Sequence, residues 1–159
     1  MRSSQVASAI LAPMFAAVLL AGCGATSAAT TGPRSQCGSG NRVEVVVELA
    51  SKKVVESCVN FKGPEIPAQT AMKRSGIEYA EQHFSFGNAV CQIDHEPSSY
   101  SSCFASGKPY WALFVWTGKG PWKVAQVGVT DIKLRNGDAL GWHFGSGTPG
   151  APPKPPLNS

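Results

Sequence analysis

The sequence predicts an α+β domain with a β-grasp-like mixed sheet and one helix. Three features of the 159-residue chain lead to this prediction. Residues 42–61 contain two segments in which apolar and polar side chains alternate, residues 68–75 contain one amphipathic stretch, and residues 109–144 contain several runs of β-branched and aromatic side chains. A hairpin, then a helix, then further strands is the order of elements in a β-grasp domain.

The first two strands are predicted from a period of two. In residues 42–49, alternate positions carry valine on one face and mainly glutamate on the other. β-branched residues with this alternation are typical of a strand that buries one face. Residues 54–61 repeat the alternation, and residues 50–53 between them predict a hairpin turn.

One helix is predicted for residues 68–75. Ala68, Ala71 and Met72 recur at helical spacing and form an apolar stripe. Gly76 follows as a C-terminal stop, since glycine readily adopts a positive φ.

The remaining strands are predicted from shorter apolar runs, and the loops from segments rich in serine, proline and glycine. The predicted strands are residues 77–82, 89–94, 109–116, 122–129 and 140–144. The predicted loops are residues 83–88 and 96–107, with a tight turn at 136–138. The strand at 109–116 is apolar on both faces, which is typical of a central, doubly covered strand.

Both ends of the chain are predicted to lie outside this domain. Residues 1–22 combine a positive start with an apolar run too short for a membrane span of about 20 residues, which indicates a signal peptide. The run ends in Leu-Ala-Gly-Cys, which resembles the lipobox of bacterial lipoproteins and implies a lipid on Cys23. Residues 23–40 are predicted to be a flexible tether and residues 147–159 a Pro-rich disordered tail, so that the domain covers residues 41–146.

The lipobox implies a location for the mature protein. Two or three acyl chains on Cys23 would insert durably into membrane lipid. The protein is therefore predicted to be anchored at the cell membrane and to face its extracytoplasmic side. The alternative is an ordinary signal peptide followed by an incidental cysteine.

Four further cysteines belong to the predicted exported part of the chain: Cys37, Cys58, Cys91 and Cys103. An even number in an exported chain indicates disulfides, and four cysteines allow three pairings. The local pairing Cys37–Cys58 and Cys91–Cys103 is favoured, because the predicted hairpin brings residue 58 back toward residue 37. A zinc site is the alternative, but no two cysteines have the close spacing typical of zinc ligands.

Composition and motifs argue against nucleic-acid binding and catalysis. The net charge is +4, and the basic residues are scattered rather than clustered as on a nucleic-acid surface. The chain has no Gly-x-Ser-x-Gly elbow and no phosphate-binding glycine loop, so no enzyme is predicted. Asp94, His95 and Glu96 are adjacent, but neighbours at a strand end point in alternating directions, so we interpret them as a solvated turn rather than a metal site.

Several short motifs resemble one family. They are Val-Cys-Gln-Ile at 90–93, a second cysteine at 103, Tyr-Trp at 110–111, and the Gly-Asp-Ala-Leu-Gly-Trp-His-Phe that closes at 144. Over residues 40–146 their order is similar to that of the C-terminal domain of transcobalamin and intrinsic factor, and more closely to bacterial exported proteins that carry this transcobalamin-like domain alone. The resemblance implies a β-grasp-like fold that forms one wall around cobalamin. It also makes His95 and His143 candidates for a cobalt ligand.

The tryptophans indicate where a ligand would bind, because an indole ring offers a flat apolar surface with one polar group. Trp116 and Trp142 lie within strand patterns and are predicted to be core residues. Tyr110, Trp111 and Trp122 are the predicted ligand-binding residues. Trp111 lies at the centre of the resemblance, and Trp122 follows a turn, where a large ring is hard to bury.

These observations support two functional hypotheses. The first is a membrane-anchored extracytoplasmic lipoprotein with a small ligand-binding domain for cobalamin or another flat hydrophobic ligand. The second is a non-enzymatic envelope protein whose aromatic face contacts another protein. A deep cleft beside Trp111 and Trp122 would favour the first hypothesis, and a broad flat patch would favour the second.

Overall fold

A computed structural model describes residues 37–147 and 150–153. The predicted signal peptide, Cys23 and the part of the tether before Cys37 lie outside the described residues. Within the described ranges, no helix is long and apolar enough to cross a membrane.

The described chain is a mixed α/β fold with mostly strands and one helix. The strands are β1 (Asn41–Glu48), β2 (Val54–Phe61), β3 (Glu65–Pro67), β4 (Tyr79–Phe84), β5 (Gly87–Ile93), β6 (Tyr110–Trp116), β7 (Lys123–Val124), β8 (Lys133–Arg135) and β9 (Ala139–Gly145). The helix is α1 (Ala68–Arg74), and a short 3-10 turn covers Val129–Asp131.

Five strands form the main sheet, in the order β2-β1-β9-β6-β7. β1 and β9 are parallel neighbours, whereas the other pairs in this sheet are antiparallel. The last strand of the chain therefore lies between the first strand and β6. The pairs β3–β8 and β4–β5 form two smaller sheets beside it.

The predicted N-terminal hairpin and helix are confirmed. β2 has the predicted bounds, and the bounds of β1 and α1 differ from prediction by one residue. Gly76 has a φ of 72°, the left-handed conformation expected after a helix. The Ser57 hydroxyl donates a 2.7 Å hydrogen bond to the Ser75 carbonyl, which satisfies a backbone acceptor at the helix end.

The helix packs on one face of the main sheet. Its apolar stripe of Ala68, Ala71 and Met72 is fully buried. Leu140 and Trp142 of β9 and the alternate valines of β1 belong to the same core cluster. Burial of a side chain such as Met72 stabilises the fold by roughly 1.5–3 kcal/mol, so this layer is a main source of stability.

The opposite face of the sheet is covered without a second helix. Gly141 of β9 lies on this face, and an added Cβ there would come within 2.6 Å of Pro152 and 2.8 Å of Trp122. Trp116 points to the same face and is buried, and its indole N–H donates to the Gly120 carbonyl. Pro152 is itself buried, so the prediction of a solvated tail does not hold at this position.

A β-hairpin at residues 79–93 differs from the prediction. The sequence predicts a loop at 83–88, but β4 continues to Phe84 and β5 begins at Gly87. Phe84 pairs with Gly87, so the chain reverses within two residues. Gly87 has a φ of 102°, which glycine adopts without steric cost and which allows this tight reversal.

The short strands also differ from the prediction. The predicted strand at 122–129 is wrong over most of its length, because β7 contains only two residues. β3 and β8 are not predicted at all, since their three residues are too few to show a period of two. The predicted turn at 136–138 is confirmed: Gly137 has a φ of 86°, and the Asn136 side-chain oxygen accepts a hydrogen bond from the Arg42 N–H.

Both predicted disulfides are present. Cys37 is joined to Cys58, with a Cα–Cα distance of 5.4 Å, and Cys91 to Cys103, with a Cα–Cα distance of 4.3 Å. The first ties the segment before β1 to β2. The second ties the long loop that precedes β6 to β5.

We expect loss of the Cys91–Cys103 bond to destabilise the domain. The bonded residues are separated by 12 positions, and loop-closure entropy assigns about 3 kcal/mol to a loop of this length. Replacement of both cysteines by alanine should lower the free energy of unfolding by about this amount in a urea titration. The Cys37–Cys58 double variant is the matched control and should lose a similar amount. Non-reducing peptide mapping that joined Cys58 to Cys91 would contradict the pairing.

Candidate ligand-binding pocket

The candidate site lies where the edge of the main sheet opens. β6 pairs with β7 over only two residues, and the Ala125 N–H then donates a 2.8 Å hydrogen bond to the Leu113 carbonyl. The chain next turns away from β6 toward the β4–β5 hairpin. There the Gly128 N–H donates a 2.8 Å hydrogen bond to the Phe86 carbonyl. A gap is left between β6 and residues 126–128.

Gly128 determines how closely this segment approaches β5. A Cβ at this position would lie 2.7 Å from the backbone oxygen and 2.8 Å from the backbone nitrogen of Asn88. The φ of Gly128 is −68°, which any residue adopts, so close contact rather than backbone conformation requires glycine. The segment can rest against β5 only because residue 128 has no side chain.

The gap forms a pocket of about 470 Å³. Its volume is within the range of roughly 300–1,000 Å³ that is usual for small-molecule sites. β6 forms one wall, and residues 124–128 form the facing wall. The lining residues are 110–114 of β6, 124–128, 88–90 of β5, Phe86, Phe104, Trp142 and Gly147.

The described lining of the pocket is mainly apolar and carries no charged side chain. None of the described residues that line it is Lys, Arg, His, Asp or Glu. Its polar side chains are those of Asn88, Gln126 and Tyr110, and the Tyr110 hydroxyl already donates to the Gly147 carbonyl at 3.0 Å. A charged ligand would lose hydration here without gaining a partner, so the lining favours a neutral ligand.

Exposed phenylalanines rim the pocket. Phe86 is 44% exposed and Phe104 is 45% exposed, which is unusual for such large apolar side chains grouped together. Their ring centroids are 6.0 Å apart, and both rings contact Phe84. Phe104 also lies 5.7 Å from the Tyr110 ring, which connects the rim to β6.

The Cys91–Cys103 bond positions this rim. Cys103 immediately precedes Phe104, and the bond holds it against β5. The Cys103 N–H also donates to the Gln82 side chain of β4 at 3.4 Å. The loop before β6 is therefore tied to the same hairpin that carries Phe86, which brings the two exposed rings together.

The structure brings only two of the three predicted ligand-binding residues to this pocket. Tyr110 is half-buried at its rim, and Trp111 is 3% exposed on its β6 wall, with the indole N–H donating to the Glu96 carbonyl at 2.9 Å. Trp122 does not line the pocket. It is half-buried on the other face of the sheet, above Gly141, because the sheet alternates its side chains between two faces.

The predicted core tryptophans are confirmed as buried. Trp116 and Trp142 are each 1% exposed. Trp142 also lines the pocket, and its indole N–H is buried without a hydrogen-bond partner among the described residues. The sequence analysis did not identify Phe86 and Phe104 as site residues. Apolar side chains still alternate with polar ones from Phe84 to Phe86, and this pattern could have indicated the hairpin.

The Asp94, His95 and Glu96 side chains contact three different partners. Asp94 lies 3.7 Å from Lys53, His95 lies 3.3 Å from Glu78, and Glu96 accepts a hydrogen bond from the Ala50 N–H. No group of three potential metal ligands occurs in the described part of the chain. His143 is buried near Glu48, and neither it nor His95 lines the pocket.

A second cavity, of about 570 Å³, lies beneath the serine-rich loop before β6. Although it is larger, its lining includes the charged Lys108 and several serines of one loop. It lacks the indole floor and the exposed phenylalanine rim of the first pocket. We therefore take the pocket at the β6 edge as the candidate site.

No model of a known protein family matches the chain, and a search of curated proteins finds no significant similarity. The candidate site therefore rests on the geometry described above.

We expect Trp142 and Trp122 to differ in their contribution to stability. Trp142→Ala should lower the free energy of unfolding by about 3–5 kcal/mol, because it empties a packed core position. Trp122→Ala should cost about 1 kcal/mol, since the ring is only half-buried, and should leave the pocket intact. Urea titrations of the two variants measure the difference. Equal losses would show that Trp122 is as deeply packed as Trp142.

Proposed function

We propose that this protein is a non-enzymatic binding protein whose site is the pocket at the edge of β6. The observation that carries the proposal is an uncharged apolar pocket with an exposed aromatic rim. Clustered apolar exposure of this kind marks interaction sites in soluble domains. A few polar groups beside an apolar floor are also typical of ligand pockets.

The lining supports a neutral and mainly apolar ligand. Cobalamin and other flat hydrophobic molecules remain candidates because of the sequence resemblance. Cobalamin is larger than a pocket of about 470 Å³, so only one side of it would enter, with Phe86 and Phe104 against the remainder. The protein would then form one wall of a larger binding site.

The strand order supports a β-grasp-like fold as part of this proposal. A hairpin, a helix and a final strand that lies parallel to β1 in the sheet centre agree with that arrangement. We further propose that Cys23 carries a lipid and that the domain faces the extracytoplasmic side of the cell membrane. The two disulfides support an oxidising compartment.

A second candidate function is contact with another envelope protein. It is favoured by the exposed Phe86 and Phe104, which a protein partner would bury. Titration of the domain with small ligands and with peptides distinguishes the two functions.

We expect Phe104→Ala and Phe86→Ala to weaken ligand binding by about tenfold or more, because a ring that closes on the ligand contributes on the order of 1.4 kcal/mol. Both side chains are nearly half exposed, so each change should cost about 1 kcal/mol or less in stability. Calorimetric titration with cobalamin and fluorescence titration with Nile red, an uncharged apolar dye, measure the effect.

Tyr100→Ala is the matched control for these variants. Tyr100 is 37% exposed and lines the second cavity instead. The Tyr100→Ala variant should bind cobalamin and Nile red with the affinity of the unmodified protein. If Tyr100→Ala loses as much affinity as Phe104→Ala, or if Phe104→Ala loses none, the β6 pocket is not the binding site.

We expect Cys23→Ser to prevent attachment of the lipid. The hydroxyl cannot form the thioether that would carry the diacylglyceryl group, so the variant should be released or remain an unprocessed precursor. Fractionation of cells that express the two forms, followed by electrophoresis, measures this. Unchanged attachment and mobility of the variant would refute the lipoprotein proposal.

A further inference from the structure

The second cavity, beneath the serine-rich loop before β6, differs in chemistry from the pocket at the β6 edge. Its volume of about 570 Å³ is also within the range of roughly 300–1,000 Å³ that is usual for small-molecule sites. The two share no lining residue within the described part of the chain. Binding at the second cavity therefore does not depend on the proposed function of the pocket at the β6 edge.

The loop above the second cavity is held in place at several points. The Pro97 carbonyl accepts a 2.6 Å hydrogen bond from the side chain of Gln92, which lies on β5. Cys103 is bonded to Cys91 of the same strand. A backbone hydrogen bond of 3.1 Å closes a turn over residues 105–108. The walls of the cavity are thus formed before a ligand enters, so a ligand would lose little affinity to the ordering of the loop.

Hydroxyl groups form most of the polar lining of the second cavity. They belong to Ser99, Tyr100, Ser101 and Ser102. The Ser102 oxygen accepts a hydrogen bond from the Phe104 N–H at 3.4 Å, whereas the other three hydroxyls bond to no described residue. Each hydroxyl can both donate and accept, so the group matches a ligand that itself carries several hydroxyls.

Lys108 carries the charge of the second cavity, since no other described residue of its lining is charged. Lys52, Lys53 and Lys133 each lie within 3.7 Å of a carboxylate oxygen, but Lys108 forms no ion pair with a described residue. Its ammonium group is therefore available to complement one negative charge on a ligand. A carboxylate matches this better than a phosphate ester, which carries about 1.5 to 2 negative charges at pH 7.

Flat apolar surfaces complete the lining of the second cavity. Phe144 is half-buried there, and its ring is held against that of Trp111, with a centroid distance of 5.1 Å. The Tyr100 ring is 37% exposed, and the rings of Pro97 and Pro109 also line the cavity. A sugar ring has C–H groups on its faces and hydroxyls around its edge, so it can pack on such rings and bond to the serines at once.

We propose that the second cavity binds a sugar that carries one carboxylate, as a uronic acid does. The carboxylate pairs with Lys108, the sugar hydroxyls bond to those of Ser99 and Ser101, and a face of the sugar ring packs against Phe144. A neutral sugar lacks the charge, and a small carboxylate lacks the ring and hydroxyls, so neither uses the whole lining. The site goes beyond the proposed function, because its ligand is polar and anionic rather than neutral and apolar.

The test is a titration of the purified, isotope-labelled protein with D-glucuronate, followed through the amide chemical shifts in NMR spectra. The usual affinity per atom gives a ligand of this size a Kd on the order of 1 mM. Amides of residues 99–102 and 105–108 should shift, and those of residues 126–128 beside β6 should not. D-glucose, acetate and inorganic phosphate should each bind about tenfold more weakly or less than that.

Variants of one lysine test the role of its charge. Lys108→Gln should weaken glucuronate binding by about tenfold or more and leave the weak binding of glucose unchanged. Lys108→Arg keeps the charge and should retain glucuronate affinity within about threefold. Lys119→Gln is the matched control, because Lys119 is also exposed but lines neither cavity. This control should bind glucuronate within about twofold of the unmodified protein.

The outcomes separate this inference from the proposed function. Absence of shifts at about 10 mM glucuronate, equal affinity for glucose, acetate or phosphate, or equal losses in Lys108→Gln and Lys119→Gln overturns the acidic-sugar site. Shifts at residues 126–128 without shifts at residues 99–108 would place the sugar beside β6, which also overturns it. Nile red binding that depends on Phe104 would in each case leave the proposed function standing, and loss of that dependence would leave the acidic-sugar site standing.

Discussion

The rest of the structure depends on the insertion of β9 between β1 and β6. Glu44 pairs with Ala139 and Trp111 with Phe144, so the sheet is complete only when the two ends of the domain meet. Pairing over such a long stretch of chain costs loop-closure entropy before any contact compensates it. The compensation comes from burial on both faces at once, because β9 places Trp142 in the core cluster that includes the helix, and Gly141 beneath Trp122.

The pocket results from a competition at the sheet edge. Residues 126–128 could continue along β6 beyond the hydrogen bond between Ala125 and Leu113, which would add hydrogen bonds of about 0.5–1.5 kcal/mol each. They instead follow Gly128 onto β5, and Val129 then enters the core with no exposed surface. Burial of one valine is worth roughly 1.5–3 kcal/mol. The free energy gained by burying Val129 thus offsets that of the hydrogen bonds not made with β6. The pocket beside β6 is the consequence.

Long periodic elements were predictable from the sequence, whereas contacts between short segments were not. β1 and β2 alternate apolar and polar side chains, and α1 has an apolar stripe. These patterns show which face of each element is buried without knowledge of its neighbours. β7 shows where prediction from sequence ends. This strand stops where it does because Gly128 fits closely against Asn88, and no pattern in the nearby sequence indicates that contact. The same limit applies to the site: Tyr110 and Trp111 could be placed beside it, but Phe86 and Phe104 come from two loops that only the fold and the Cys91–Cys103 bond bring together.

The position of the aromatic residues explains why the tryptophan-rich strands do not form an exposed platform. A ring on an inner strand is covered by whatever packs on that face, and both faces of this sheet are packed around Trp116 and Trp142. A ring at a hairpin tip has no layer packed above it. Phe86 therefore stays exposed, although its side chain is as apolar as those in the core. A sheet that must bury its centre therefore places its recognition surface at its edge, where strand pairing and packing both end.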